Sequence, residues 1–119
     1  MKNKNCTRAY SDAHEKSVCK ALNAVQTPNS GATLFKKGDC YNTNASLLIE
    51  CKTSMTEKSS VSIKKEWIDK NNKEAKEMRL YNSCISFNFG PETDNYYVIS
   101  EKLMKFLVEK LQEEYKGIE

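Results

Sequence analysis

The sequence predicts an α+β domain: a central mixed β-sheet flanked by helices, in the order α-β-β-β-α-β-β-α. Three observations carry that expectation. Apolar residues recur at helical spacing in three places: Val18, Ala21, Leu22 and Val25; Ile63, Trp67, Ile68, Ala75 and Met78; Leu103, Phe106, Leu107 and Leu111. Between them stand short runs, such as Leu47–Lys52 and Ser83–Phe89, with the length and composition of strands. Turn formers, Thr27-Pro28-Asn29-Ser30-Gly31 and Gly90-Pro91-Glu92-Thr93-Asp94-Asn95, punctuate the runs.

In chain order, residues 1 to 9 read as a polar, flexible arm. The first helix is expected from Ser11 or Asp12, either a suitable N-cap, to about Val25. Ala32–Phe35 is expected as a short strand. Lys36-Lys37-Gly38 is a turn, Asp39–Tyr41 begins a second strand, and Asn42-Thr43-Asn44 leads hairpin-fashion into a central strand over Ala45–Lys52. Thr53–Ser60 lacks periodicity and reads as a mobile loop. Ser62 should cap a helix over Ile63–Leu80. Ser83–Phe89 and Tyr96–Ile99 should be strands, and Ser100 should cap a last helix that ends before Gly117. Trp67, Tyr96 and Tyr97 read as core or sheet-face residues.

At 119 residues the chain makes one domain, 1–119, with core enough to fold and too little length for two. A net charge of +3 is too slight to argue for nucleic acid by itself. Lysines and acids are interspersed from Lys52 to Arg79, the pattern of a solvated helix. Cys6, Cys19, Cys40, Cys51 and Cys84 include no Cys-x-x-Cys pair, so neither a zinc site nor a disulfide framework is indicated. Cys40 and Cys51 read as small core fillers. The N-terminal residues lack the apolar stretch of a signal peptide, and no run approaches the length of a membrane span. A reducing, cytoplasmic setting is expected.

One stretch stands out chemically. In a strand over Leu47–Lys52, Leu47, Ile49 and Cys51 face one way, and Leu48, Glu50 and Lys52 the other. An acid and a base thus leave the end of a buried strand together, near Asp39, and such charges need compensation. Carboxylates suit Mg²⁺, or Mn²⁺ in its place. Asp39 and Glu50, with the backbone carbonyl of Cys51, would hold the ion against a phosphate. Lys52 would orient or deprotonate the attacking water or stabilise developing charge. Glu15, at the edge of the first helix's apolar stripe, would complete a second metal site or bind a metal-held water. His14, on the other side of that stripe, reads as a half-buried or surface residue.

Asp39 followed by Glu50-Cys51-Lys52 has the form D-x(n)-E-x-K and resembles the core of the PD-(D/E)xK nuclease superfamily; Glu15 resembles its helical glutamate. The pattern Glu15, Ser30-Gly31, Lys37-Gly38-Asp39, then Leu47–Lys52 is closer still to the archaeal and phage Holliday-junction resolvases, over about residues 10–80. The resemblance implies a restriction-endonuclease-like fold and metal-dependent DNA cleavage, leaving 5′-phosphate and 3′-hydroxyl ends. It implies four-way junctions as substrate, in DNA recombination or repair, and a homodimer, since cutting two opposed strands takes two sites. Candidate DNA contacts are Ser30, Lys36 and Lys37 beside the site, and Ser62 and Lys65 at the start of the second helix. The Lys- and Asn-rich composition suits an AT-rich, phage-type genome. Two alternatives stay open: a phage or mobile-element nuclease acting on ordinary duplex DNA, and a non-catalytic DNA-binding module on the same fold.

Overall fold

The computed structural model describes residues 4–28 and 38–117, with side chains from Arg8 onward. Its elements are α1 (Lys4–Ala21), β1 (Val25–Gln26), β2 (Cys40–Asn42), β3 (Leu47–Lys52), α2 (Lys65–Glu77), β4 (Asn82–Phe87), β5 (Tyr96–Val98) and α3 (Glu101–Glu114). Among the described residues the fold is α+β, with a mixed sheet of five strands in spatial order β1-β2-β3-β4-β5. The outer pairings β1–β2, β2–β3 and β4–β5 are antiparallel. The central pair β3–β4 is parallel, with Glu50 opposite Ile85 and Cys51 opposite Ser86. A parallel pair needs a crossover, and α2 supplies it. Among the described residues no helix is long and apolar enough to cross a membrane.

The two faces of β3 are buried against different helices. Ile49 packs with Cys40, Cys84 and Val18 of α1, while Leu48 packs with Ala75 of α2 and Leu80. Burial on both faces is what a central parallel strand demands, and Cys84, Ile85 and Ser86 of β4 are all buried for the same reason.

Several boundaries differ from those expected. Residues 4–9 belong to α1 rather than to an arm: they contain no Gly or Pro, and each residue added to an existing helix gains a hydrogen bond. The helix stops at Ala21 instead of Val25. Asn23 takes φ 52°, and the Ala24 N–H reaches back to the Cys19 carbonyl, closing a Schellman turn without glycine. Val25, expected on the helix, instead enters β1 opposite Tyr41. The strand expected at 32–35 lies outside the described residues. β2 begins one residue later than expected, and β3 begins at Leu47 because 43–46 form a turn, with the Ala45 N–H donating to Asn42 Oδ1.

α2 starts at Lys65, so Ser62 is not its cap; Lys64 occupies that position with no side-chain hydrogen bond. Its end is a second Schellman turn, with Arg79 at φ 60° and the Leu80 N–H bonded to the Ala75 carbonyl. Leu80 and Ala75 pack together in the core, the apolar contact usual for that turn. Ser100 does cap α3, accepting from the Leu103 N–H at 3.1 Å. The loop after β3 is fastened rather than free at its start: buried Ser54 bonds Asn88 through its N–H and its hydroxyl, and the Lys58 N–H donates to the Phe89 carbonyl.

Candidate active site

The C-terminal end of β3 is where the charged groups gather. Asp39 precedes β2 and is aimed by its surroundings. Gly38 takes φ 73°, and a Cβ there would stand 2.7 Å from Leu48 Cδ1, so no other residue fits without a shift. The Thr27 hydroxyl donates to the Gly38 carbonyl at 2.6 Å, and the Asp39 N–H donates to the Ile49 carbonyl at 3.0 Å. The Asp39 side chain then does what a further β2 residue would do: its Oδ2 accepts from the Cys51 N–H at 2.6 Å. In a strand the N–H and C=O of one residue point to the same side, so the Cys51 carbonyl faces this edge too.

Glu15 approaches from α1 and Glu50 from the opposite face of β3. Burial, a hydrogen bond to Asp39 and the Asp39 charge push the Glu15 carboxyl up to about 8. Burial first, and the Asp39 charge second, push Glu50 up to about 7, with Lys52 pulling it down. Lys52 Nζ lies 3.8 Å from Glu50 Oε1 and 4.5 Å from the centre of the Trp67 ring. Trp67, Lys70 and Glu74 of α2 line a small crevice with Glu50 and Lys52. Acids from a helix, a turn and a strand thus share one strand end with one lysine.

The donor set fits a hard divalent cation. Oxygen ligands suit Mg²⁺, and crowded carboxylates whose ionisation is opposed by burial and by one another gain when a cation neutralises them. Among the described residues no three His, Cys, Asp or Glu side chains form a ready-made cage. Mg²⁺ usually takes only one or two carboxylates and keeps several waters. Asp39, Glu50 and the Cys51 carbonyl are the groups that would hold it, with Glu15 beside Asp39.

Of the expected site residues, Glu15, Asp39, Glu50, Cys51 and Lys52 come together at this end of the sheet. Ser30, Lys36 and Lys37 lie outside the described residues. Ser62 is exposed ahead of α2, and Lys65 pairs with Asp69 at 2.6 Å on the helix surface.

Two features were missed by sequence reasoning. His14 is not a surface residue: it is 3% exposed, and its ring nitrogens bond Thr53 Oγ1 at 2.9 Å and Ser86 Oγ at 3.0 Å. Burial lowers its pKa, partly opposed by Asp39, so the ring is held neutral. It ties α1 to the residue after Lys52. The only signal in the sequence was its place one residue before Glu15. The second is a chain of thiols behind the acids. Cys40 is hydrogen-bonded to both Cys51 and Cys19, which lowers the Cys40 thiol and raises the Cys51 thiol; burial and its bond to Cys40 push Cys19 up to about 12. Cys40 is a core residue, as expected, Cys51 packs partly buried against that core, and Cys19, Cys40, Cys51 and Cys84 are all free thiols.

No protein-family model, curated protein sequence or solved structure matches this chain.

Proposed function

We propose that the chain is a metal-dependent DNA endonuclease with a restriction-endonuclease-like fold, acting on four-way junctions as a homodimer. The observation that carries this reading is the convergence of Glu15, Asp39, Glu50 and Lys52 on one strand end, with Asp39 seated on the Cys51 N–H. Partly buried acids crowded on one another oppose folding when ionised, and a bound cation would offset that cost, which supports a metal-dependent reading of the set.

A bound Mg²⁺ supplies Lewis-acid polarisation of the phosphoryl oxygen and lowers the pKa of water in reach. The chain's own groups do the rest. Asp39 and Glu50 fix the site relative to the sheet end. Lys52, steered by Glu50 and the Trp67 face, orients the attacking water or stabilises charge on the phosphorane. Glu15, with its raised pKa, is suited to exchange a proton near neutral pH. Trp67 excludes water from one side of the lysine. DNA contacts by Ser30, Lys36, Lys37, Ser62 and Lys65 belong to the same proposal.

The test is cleavage of a four-way junction and of a linear duplex, each with Mg²⁺ and with EDTA. Junction cutting that needs Mg²⁺ and exceeds duplex cutting is expected. Equal cutting of both would point to an ordinary duplex nuclease, and junction binding without turnover under varied metals to a binding module. Asp39→Asn should lower cleavage by more than about 100-fold, beyond the loss typical of changes behind metal ligands, while junction binding persists. Retained turnover would refute the assignment.

A further inference from the structure

The last helix leaves its apolar side uncovered. α3 is 14 residues long and has no buried residue, although it is capped and amphipathic. Met104, Phe106, Leu107, Val108, Leu111 and Tyr115 remain between 39% and 61% exposed. On a helical wheel these residues and Leu103 span roughly 200°, wider than the stripe one neighbour can cover. The helix also flanks an open groove of about 680 Å³, walled on the body by Leu22, Leu47 and Tyr97 and on α3 by Phe106 and Leu107. The chain is extended accordingly: its Cα radius of gyration is 15.6 Å, against about 13.5 Å for a compact chain of this length.

We infer that this face is closed by a second copy of the chain, with α3 packed antiparallel on its counterpart about a two-fold axis. Area favours that occupant. The six exposed side chains offer on the order of 600 Å² per chain, and the groove walls add to it, which approaches the ~800 Å² per partner that stable pairs bury. Charge favours it too. The first half of α3 carries Lys102 and Lys105 against Glu101, and the second half Glu109, Glu113 and Glu114 against Lys110. An antiparallel pairing sets unlike halves, and opposed helix dipoles, against each other. An isologous contact also closes on itself and leaves no further apolar face to propagate. The groove opens beside Asn44, Ala45 and Leu47, at the start of β3. Glu50 and Lys52 stand at its other end, so the pairing leaves them clear. The inference rests on the nuclease reading for its homodimer and gives that dimer a surface, but its test reads mass and protection rather than cleavage, so the α3 interface and the metal-dependent cleavage can fail separately.

The full chain is examined by sedimentation equilibrium from about 1 to 100 µM, a span that covers moderate self-association. Twice the chain mass of 13.6 kDa is expected. Leu107→Glu with Leu111→Glu should weaken association at least about 100-fold, as removal of central apolar anchors does, with far-UV circular dichroism unchanged. A wild-type monomer throughout the range overturns the inference, and so does a dimer that survives both changes. If the double variant fails to fold, hydrogen exchange of the wild type decides. Protection of α3 amides that rises with protein concentration supports the interface, and its absence overturns it.

Discussion

Glu50 has the clearest pH signature among the site residues. Burial and Asp39 raise its carboxyl from the ordinary 4.5 to about 7, so between those values the folded chain holds a proton that the unfolded chain has lost. Stability from this group is complete below about 4.5 and is lost as pH rises toward 7. The loss amounts to roughly 3 kcal/mol. His14 acts in the other direction: with its pKa lowered by burial, it costs stability as pH falls below its ordinary 6.5. Comparing wild type with Glu50→Gln cancels the histidine. In EDTA, the stability difference between the two, measured by urea denaturation, should move in favour of the variant as pH rises from 5 to 7.5. A difference that stays flat over that range would show that Glu50 is not held as described. At this scale the sequence was most readable where chemistry is local. Glu50 and Lys52 had to leave β3 together, because strand alternation requires it. Their relation to Trp67, Lys70 and Glu74 was illegible, since it depends on where α2 crosses the sheet.

α1 shows what a helix contributes beyond its own periodicity. It presents Glu15 to Asp39 on one side and inserts His14 between Thr53 and Ser86 on another, partners 39 and 72 residues away in sequence. No local pattern encodes such pairs, so a lone histidine at a stripe edge read as half-buried or superficial rather than fully enclosed. His14→Ala should leave two hydroxyls short of a partner inside the protein and lower stability by about 2–3 kcal/mol in urea denaturation. A loss below about 0.5 kcal/mol would mean that the ring is a passenger. The ends of α1 and α2 were misjudged for a related reason. Both terminate in Schellman turns whose left-handed residues are Asn23 and Arg79, not glycine. Tertiary packing of Ala24 and Leu80 behind those turns sustains backbone angles that propensity alone disfavours. Elements held by strong periodicity, α2 and α3 above all, were legible in kind and place.

For the whole molecule, the order of elements among the described residues was legible from α2 onward, whereas the strand Val25–Gln26 was not expected. Runs of one period separated by turn formers leave few ways to arrange a chain this short. That α3 lies open was illegible, because periodicity says a face is apolar but not what covers it. The clustered acids make a global prediction as well. A cation binding only the folded chain adds RT ln(1 + [Mg²⁺]/Kd), about 1.4 kcal/mol at ten times Kd. For a domain of this size that is a rise in Tm of roughly 6 °C. The rise should reverse with EDTA and vanish in Asp39→Asn. Differential scanning calorimetry at pH 8 provides the check, and an unchanged rise in the variant would place the ion elsewhere.

The bond from the Cys51 N–H to Asp39 Oδ2 has one more consequence. Asp39 stands in for a missing rung of the β2–β3 ladder, so a side chain, not a neighbouring strand, holds that amide. Whatever changes the charge on Asp39 must therefore be felt at a single backbone proton. The nuclear magnetic resonance of the Cys51 amide is a built-in reporter of the occupancy of this site, readable with neither substrate nor turnover.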